Sequence, residues 1–148
     1  GMIKAEHFEV FVAPYYRQLF DSFPEALILL HNDSDTSHLL DLLPGCGIDL
    51  FHFGYEVDIE FAKKHLGQRV ALMGNLAPTD VMLRGSDEAF ERESRRIIEA
   101  GKKGGGFIFS TGGEVNPDTP PERVRALLEH ARRYGRYEQW ASADGSRS

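Results

Sequence analysis

The chain is organised around residues 26–36, which read Ala-Leu-Ile-Leu-Leu-His-Asn-Asp-Ser-Asp-Thr. Five apolar residues run without alternation into a polar cluster, which is typical of a strand buried on both faces of a parallel sheet. Ligands of α/β proteins lie beyond the carboxyl ends of such strands. The sequence therefore predicts a strand over residues 26–31 with functional side chains at its end.

Two of these side chains, His31 and Asp33, are candidates for chemistry. Because side chains alternate along a strand, residues two apart project to the same side. A histidine and an aspartate on one face are suited to ligating a metal ion or to forming an acid–base pair. The alternative is structural: His31 donates to a backbone carbonyl and Asp33 caps the following helix. The sequence leaves both interpretations open.

The composition indicates one globular domain. The chain has 148 residues, of which 41% are hydrophobic and 27% charged, and this is enough for a proper core. We expect a single domain over residues 2–140 and a flexible tail over residues 141–148. The net charge of −6, with no long basic run, argues against a nucleic-acid partner. A lone cysteine, Cys46, excludes an internal disulfide and favours a cytoplasmic location, and we expect neither a membrane span nor a signal peptide.

Periodicity along the chain predicts alternating helices and strands. The predicted helices cover residues 4–22 with a kink or break at Pro14, a leucine-rich segment at 36–43, and residues 58–66, 79–83, 87–100 and 119 onward. Three of these helices have predicted N-caps, which are Asp58, Ser86 and Thr119. The other predicted strands cover residues 48–53, 70–76 and 107–110. Such an order predicts an α/β fold with four parallel strands and flanking helices, either a small open sheet or half of a TIM-barrel-like fold.

Several segments carry a family resemblance. Residues 71–78 read Ala-Leu-Met-Gly-Asn-Leu-Ala-Pro, residues 99–108 read Glu-Ala-Gly-Lys-Lys-Gly-Gly-Gly-Phe-Ile, and residues 117–121 read Pro-Asp-Thr-Pro-Pro. In this order and spacing the chain resembles the C-terminal half of the uroporphyrinogen decarboxylase superfamily, from about residue 3 to 135. That superfamily also contains corrinoid-dependent methyltransferases that pass a methyl group to coenzyme M. The resemblance implies half of a (β/α)8 barrel with its site at the strand C-termini.

The resemblance also implies a divalent metal, which is zinc in the methyltransferase branch. There a His-x-Cys-Gly motif follows the sixth strand; here His31 falls on its histidine, while Asp33 replaces the cysteine. After the eighth strand those methyltransferases have a third ligand, a cysteine, and the decarboxylases a functional histidine, where this chain has Gly113. Glu114 is adjacent and is our candidate for a third, carboxylate ligand. A corrinoid partner and a small-molecule or tetrapyrrole substrate are implied with the metal.

Other residues near the predicted strand ends are weaker candidates. Asn75 is a candidate catalytic residue beside His31 and Asp33, or else a turn residue. His52 and Tyr55 either contact substrate or pack at the rim of the site. Gly112 and Gly113 are candidates for substrate binding through their backbone N–H groups. Cys46 is interpreted as a packing residue rather than a nucleophile.

These observations favour a relative of the metal-dependent corrinoid methyltransferases. The alternatives are tetrapyrrole decarboxylation and a non-catalytic half barrel. We expect the isolated chain to be incomplete and inactive, because the decarboxylase arginines and aspartate belong to the N-terminal half of the barrel. Open strand edges predict a homo-oligomer. Five side chains should then lose part of their cover: Ile28, Leu30, Leu50, Leu72 and Ile108.

Overall fold

A computed structural model of the chain describes residues 3–137 and contains one sheet of four parallel strands. The strands are β1 (Leu29–Asn32), β2 (Leu50–Phe53), β3 (Ala71–Leu76) and β4 (Phe107–Thr111). They lie side by side in chain order, as in one sector of a barrel. The predicted fold class is confirmed, although β1 begins three residues later than expected. Turn hydrogen bonds hold the residues before it, including one from the Ala26 N–H to the Phe23 carbonyl at 3.0 Å.

Over the described residues, five α-helices accompany the sheet. They are α1 (Ala5–Phe11), α2 (Ala13–Asp21), α3 (Ile59–Leu66), α4 (Asp87–Gly101) and α5 (Pro121–Tyr134). The predicted break near Pro14 is confirmed, because this proline lies in the first turn of α2, where no intrahelical N–H bond is lost. Short helical turns cover Ser37–Leu39, Leu43–Cys46 and Pro78–Leu83.

The helix starts show where local sequence signals decide the structure. The Asp58 carboxylate accepts hydrogen bonds from the Glu60 and Phe61 N–H groups at 2.9 and 3.0 Å, which caps α3. Ser86 caps α4 by accepting from the Ala89 N–H at 3.2 Å. The predicted Thr119 cap is wrong: α5 begins after Pro120, and no side chain caps it. Proline at 120 and 121 presets the first turn without a hydroxyl cap.

The leucine-rich segment after β1 is a second correction. It forms two short 3-10 turns rather than a helix, because Pro44 and a left-handed Gly47 with φ of 82° interrupt it. Its leucines still enter the core, since Leu39, Leu40 and Leu43 are buried. The leucines of this segment therefore correctly predict that it is buried, but their spacing wrongly predicts an α-helix.

The two faces of the sheet are different. Helices cover one face, where Phe51, Phe53 and Leu72 are fully buried. The other face corresponds to the inner wall of a barrel and is open, with Leu29 51% and Ile108 48% exposed. The expectation for Leu72 is therefore wrong: side chains alternate along the strand, and this one points toward the helices.

Ile28 and Leu30 are partly buried and also pack against the core on the helix side, whereas Leu50 lies partly exposed. The expected tail over residues 141–148 lies outside the described residues. Within residues 3–137, no helix has the length and apolar character needed to cross a bilayer.

Candidate functional site at the strand ends

A row of contacts crosses the carboxyl ends of the strands. Register pairs His31 of β1 directly with His52 of β2, and their Nδ1 atoms are 3.0 Å apart. The His52 Nε2 lies 2.8 Å from the Thr111 carbonyl oxygen, so this side chain reaches past β3 to the end of β4. His31 itself is exposed and His52 is half-buried. The structure thus joins β1, β2 and β4 through two imidazole rings.

Asp33 lies just beyond β1 and faces Gly113. A Cβ built on Gly113 would be 3.8 Å from the nearer carboxylate oxygen of Asp33, and the Gly113 φ is 146°, a backbone conformation that favours glycine. The structure therefore brings together the position at which the resemblance implies the motif cysteine and the position at which it implies a second cysteine ligand after the last strand. Within the described residues, no hydrogen bond or ion pair joins Asp33 to His31, although both lie at the same strand end.

Asn75 is almost completely buried, with 4% of its surface exposed. Its Nδ2 donates to the carbonyl oxygens of Gly54 and Val57 at 3.2 and 2.6 Å. Both carbonyls belong to the loop that follows β2. The structure thus gives Asn75 a role in holding that loop, and its predicted contact with substrate stays a prediction.

The remaining candidates lie around the same carboxyl ends of the strands, which form the mouth of the barrel sector. Tyr55 is exposed, as expected for a rim residue. Gly112 is buried, and its N–H donates to the Leu76 carbonyl at 2.8 Å. This N–H group is therefore not free to bind an anion. Gly113 keeps its carbonyl bonded to the Thr111 hydroxyl at 2.8 Å.

Thr111 is a site residue that sequence reasoning missed. It is 5% exposed and contributes its backbone carbonyl to His52 and its hydroxyl to the loop after β4. No sequence signal identifies such a residue, because every residue carries a carbonyl and only the fold selects this one.

The donor atoms at the mouth fit a metal ion only in part. His31 and Asp33 offer one nitrogen and one carboxylate, whereas a catalytic zinc usually has three protein ligands. Across residues 3–137, no three His, Cys, Asp or Glu side chains are grouped so that they could hold an ion. Glu114 is exposed. Cys46 is fully buried, and burial raises the pKa of its thiol, which supports the packing interpretation.

A parallel sheet with helices on one face, an open inner face and polar side chains at the strand ends defines a sector of a TIM-barrel-type protein. Comparison with known proteins identifies the family. The model for the family "Uroporphyrinogen decarboxylase (URO-D)" matches residues 1–134. The chain belongs to this family.

Three similar curated proteins are much longer than this chain. Uroporphyrinogen decarboxylase of Prochlorococcus marinus is 28% identical over 137 residues, covering 90% of this chain and 38% of the relative. The enzyme of Methylococcus capsulatus is 38% identical over 90 residues, covering 61% and 25%. Chloroplastic uroporphyrinogen decarboxylase 2 of Oryza sativa is 34% identical over 130 residues, covering 84% and 32%. The chain therefore spans less than two fifths of each of these relatives.

This chain also matches a similar share of a solved structure. The fold matches a methyltransferase from Methanosarcina mazei with a TM-score of 0.78 and 20% identity, over 89% of this chain and 38% of the other. At this identity the likeness shows the fold alone. It agrees with the interpretation of the four strands as part of a barrel.

Proposed function

We propose that this chain supplies part of a methyl-transfer site of the corrinoid-dependent type, with His31 and Asp33 as its metal- or proton-handling groups. The observation that carries the proposal is the exposed His31 imidazole at the end of β1, with the Asp33 carboxylate facing the gap at Gly113. A nitrogen and a carboxylate at the edge of an open barrel wall are accessible to an ion and to a substrate. The corrinoid would be a separate partner.

Each residue has a distinct role in this proposal. His31 would offer a ring nitrogen to the ion, and Asp33 would add negative charge and a second ligand atom. When bound, a divalent ion would lower the pKa of a substrate thiol and stabilise its thiolate. A nitrogen and carboxylate set favours a harder metal than a thiolate-rich site does. The missing Cβ of Gly113 leaves space beside Asp33 for a substrate group.

Metal binding by the purified full chain tests this proposal. Titration calorimetry with Zn²⁺ and Mn²⁺ should show binding that weakens at least about tenfold in His31→Ala and in Asp33→Ala, because each change removes one of two ligands. His7→Ala is the matched control, since His7 is an exposed histidine on α1, and its affinity should not change. Equal affinities for the native chain and His31→Ala would contradict the proposal.

Tetrapyrrole decarboxylation is the second candidate, favoured by the names of the curated relatives. That reaction needs protein charges that steer protonation of a pyrrole. Gly113 supplies no side chain where the decarboxylases carry a functional histidine. Conversion of uroporphyrinogen to coproporphyrinogen by this chain, above the uncatalysed rate, would favour decarboxylation over methyl transfer.

We also propose that the open barrel wall pairs with further strands, which a second copy supplies for the isolated chain. β1 and β4 each have one neighbour in the described sheet, and Leu29 and Ile108 are about half exposed on its open face. Unpaired strand edges and uncovered apolar side chains favour association. Closing two sectors against each other would pair the strand edges and bury the exposed apolar side chains.

Sedimentation equilibrium should therefore show a dimer or larger species at micromolar concentration. Leu29→Lys should raise the dissociation constant at least about tenfold, since burying a leucine side chain contributes about 1.5–3 kcal/mol. Phe61→Lys is the control, because Phe61 is 40% exposed on α3, which connects the two central strands and packs against the helix-covered face through Ile59, Ala62 and Leu66. A monomer mass that persists on concentration would contradict this part of the proposal.

A further inference from the structure

The contacts of His52 constrain where protons lie on both imidazole rings. A carbonyl oxygen only accepts hydrogen bonds, so the His52 Nε2, 2.8 Å from the Thr111 oxygen, must carry a proton. A neutral imidazole has one N–H and one lone pair. The His52 Nδ1 of the neutral ring therefore presents its lone pair to His31.

The position of the proton on the His31 ring follows in the same way. Its Nδ1 lies 3.0 Å from the His52 Nδ1, and two lone pairs at that separation would repel each other. His31 must donate through Nδ1–H, so its own lone pair is on Nε2. The Thr111 carbonyl of β4 thus sets the tautomer of His31 in β1, three strands away.

We infer that His52 is a positioning residue, which holds His31 in the Nδ1–H tautomer and leaves His31 Nε2 as the nitrogen that binds an ion or accepts a proton. Metal-binding histidines commonly donate their second ring N–H to a protein acceptor, which fixes ring orientation and tautomer. Here the acceptor is another histidine, itself anchored by a backbone carbonyl. The functional part of this inference rests on the proposed function, whereas the tautomer assignment stands on the contacts alone.

Two substitutions of His52 separate this role from simple packing. His52→Phe keeps a ring of similar size but removes both the donor and the acceptor. His52→Gln keeps one donor for the Thr111 carbonyl and one acceptor for His31 on its amide. If His52 acts only by packing, the Phe variant should preserve the state of His31 at least as well as the Gln variant. If His52 acts through its hydrogen bonds, the Gln variant should preserve the state of His31 and the Phe variant should not.

The direct measurement is nitrogen NMR of the full chain labelled with ¹⁵N-histidine, at a pH of about 8.5, roughly two units above the ordinary imidazole pKa of about 6.5. Long-range ¹⁵N–¹H correlations report which ring nitrogen carries the proton, and His31→Asn identifies the His31 signals by their loss. Two other histidines serve as internal references. The His38 Nε2 must donate to the Ile3 carbonyl at 2.8 Å, and the His65 Nδ1 faces an Asp41 carboxylate oxygen at 2.8 Å.

We expect His31 to carry its proton on Nδ1 in the native chain and in His52→Gln, and to shift to the Nε2–H form in His52→Phe. His38 and His65 should keep their tautomers throughout. A native His31 in the Nε2–H form, or one that stays in the Nδ1–H form in His52→Phe, would overturn the assignment. If His52→Phe does not fold, the native and His52→Gln spectra still decide the outcome.

The link to function has a separate readout. The affinity for Zn²⁺ should fall at least about tenfold in His52→Phe and remain near the native value in His52→Gln. If His31→Ala leaves metal binding unchanged, the proposed function fails and the tautomer assignment is unaffected. If His31→Ala weakens binding but His52→Phe does not, the positioning role fails while the proposed function stands.

Discussion

Replacing Gly54 by alanine is expected to lower the free energy of unfolding by about 3 kcal/mol or more, because a rigid backbone contact leaves no room for a side chain. A Cβ at this position would lie 2.2 Å from the Asp33 carbonyl oxygen and 2.7 Å from its carbonyl carbon. Both atoms belong to the backbone just after β1, so the clash cannot be relieved by a side-chain rotation. Either the end of β1 or the loop after β2 must move.

Urea denaturation followed by circular dichroism measures this effect. Gly45→Ala is the matched control, because a Cβ there meets nothing within 4 Å. Gly45 also lies in a short helical turn, so alanine should leave stability unchanged or raise it slightly. Equal unfolding midpoints for the two variants, at equal slopes, would show that the strand ends adapt far more easily than the contact implies.

The same substitution should disturb the candidate site. Any rearrangement that accommodates a methyl group at Gly54 shifts Asp33 relative to the loop after β2, and the Gly54 carbonyl in that loop also accepts a hydrogen bond from Asn75. Metal affinity should therefore fall in Gly54→Ala even where the protein remains folded. Gly45→Ala should bind metal as the native chain does.

Asn75→Asp is expected to cost about 3 kcal/mol or more at neutral pH. The Asn75 amide is buried and donates to two carbonyl oxygens. A carboxylate has no proton to donate, so the substitution would set a buried negative charge against two acceptors. Asn75→Ala should cost less, because it removes the hydrogen bonds without burying a charge.

Asn116→Asp provides the control for the change of charge. The Asn116 side-chain oxygen accepts from the Asp118 N–H at 3.0 Å, and a carboxylate preserves that bond. Its stability should remain within about 0.5 kcal/mol of the native chain. Denaturant midpoints that place Asn75→Asp level with Asn75→Ala or above it would contradict the proposed scaffold role of this amide.

The two strand-end side chains His31 and Asp33 could be found from the sequence alone. A continuous apolar run followed by a polar cluster identifies both a buried parallel strand and the end where ligands bind. Helix periodicity and two capping residues, Asp58 and Ser86, likewise placed α3 and α4. Such features depend on interactions within a few residues, and these are encoded in the local sequence.

Local patterns were less reliable where the chain is irregular. The leucines after β1 suggested a helix, but a proline and a left-handed glycine divided the segment into short turns. Leu72 was assigned to the open side of the sheet, yet it points toward the helices. At the start of β3 both alternating sets are apolar, with Leu72 in one and Ala71 and Met73 in the other, so the pattern there does not reveal which set faces the helices.

Local sequence patterns are sufficient to predict the four parallel strands, their helical cover and the polar residues at the end of β1. They do not predict that His31 meets His52, that His52 reaches the Thr111 carbonyl, or that Asp33 lies against Gly113. These partners are far apart in the chain, with 21 residues separating the two histidines and 59 separating His52 from Thr111. Strand register and the close approach of glycine backbones bring them together, and both arise from packing between elements rather than from any local pattern.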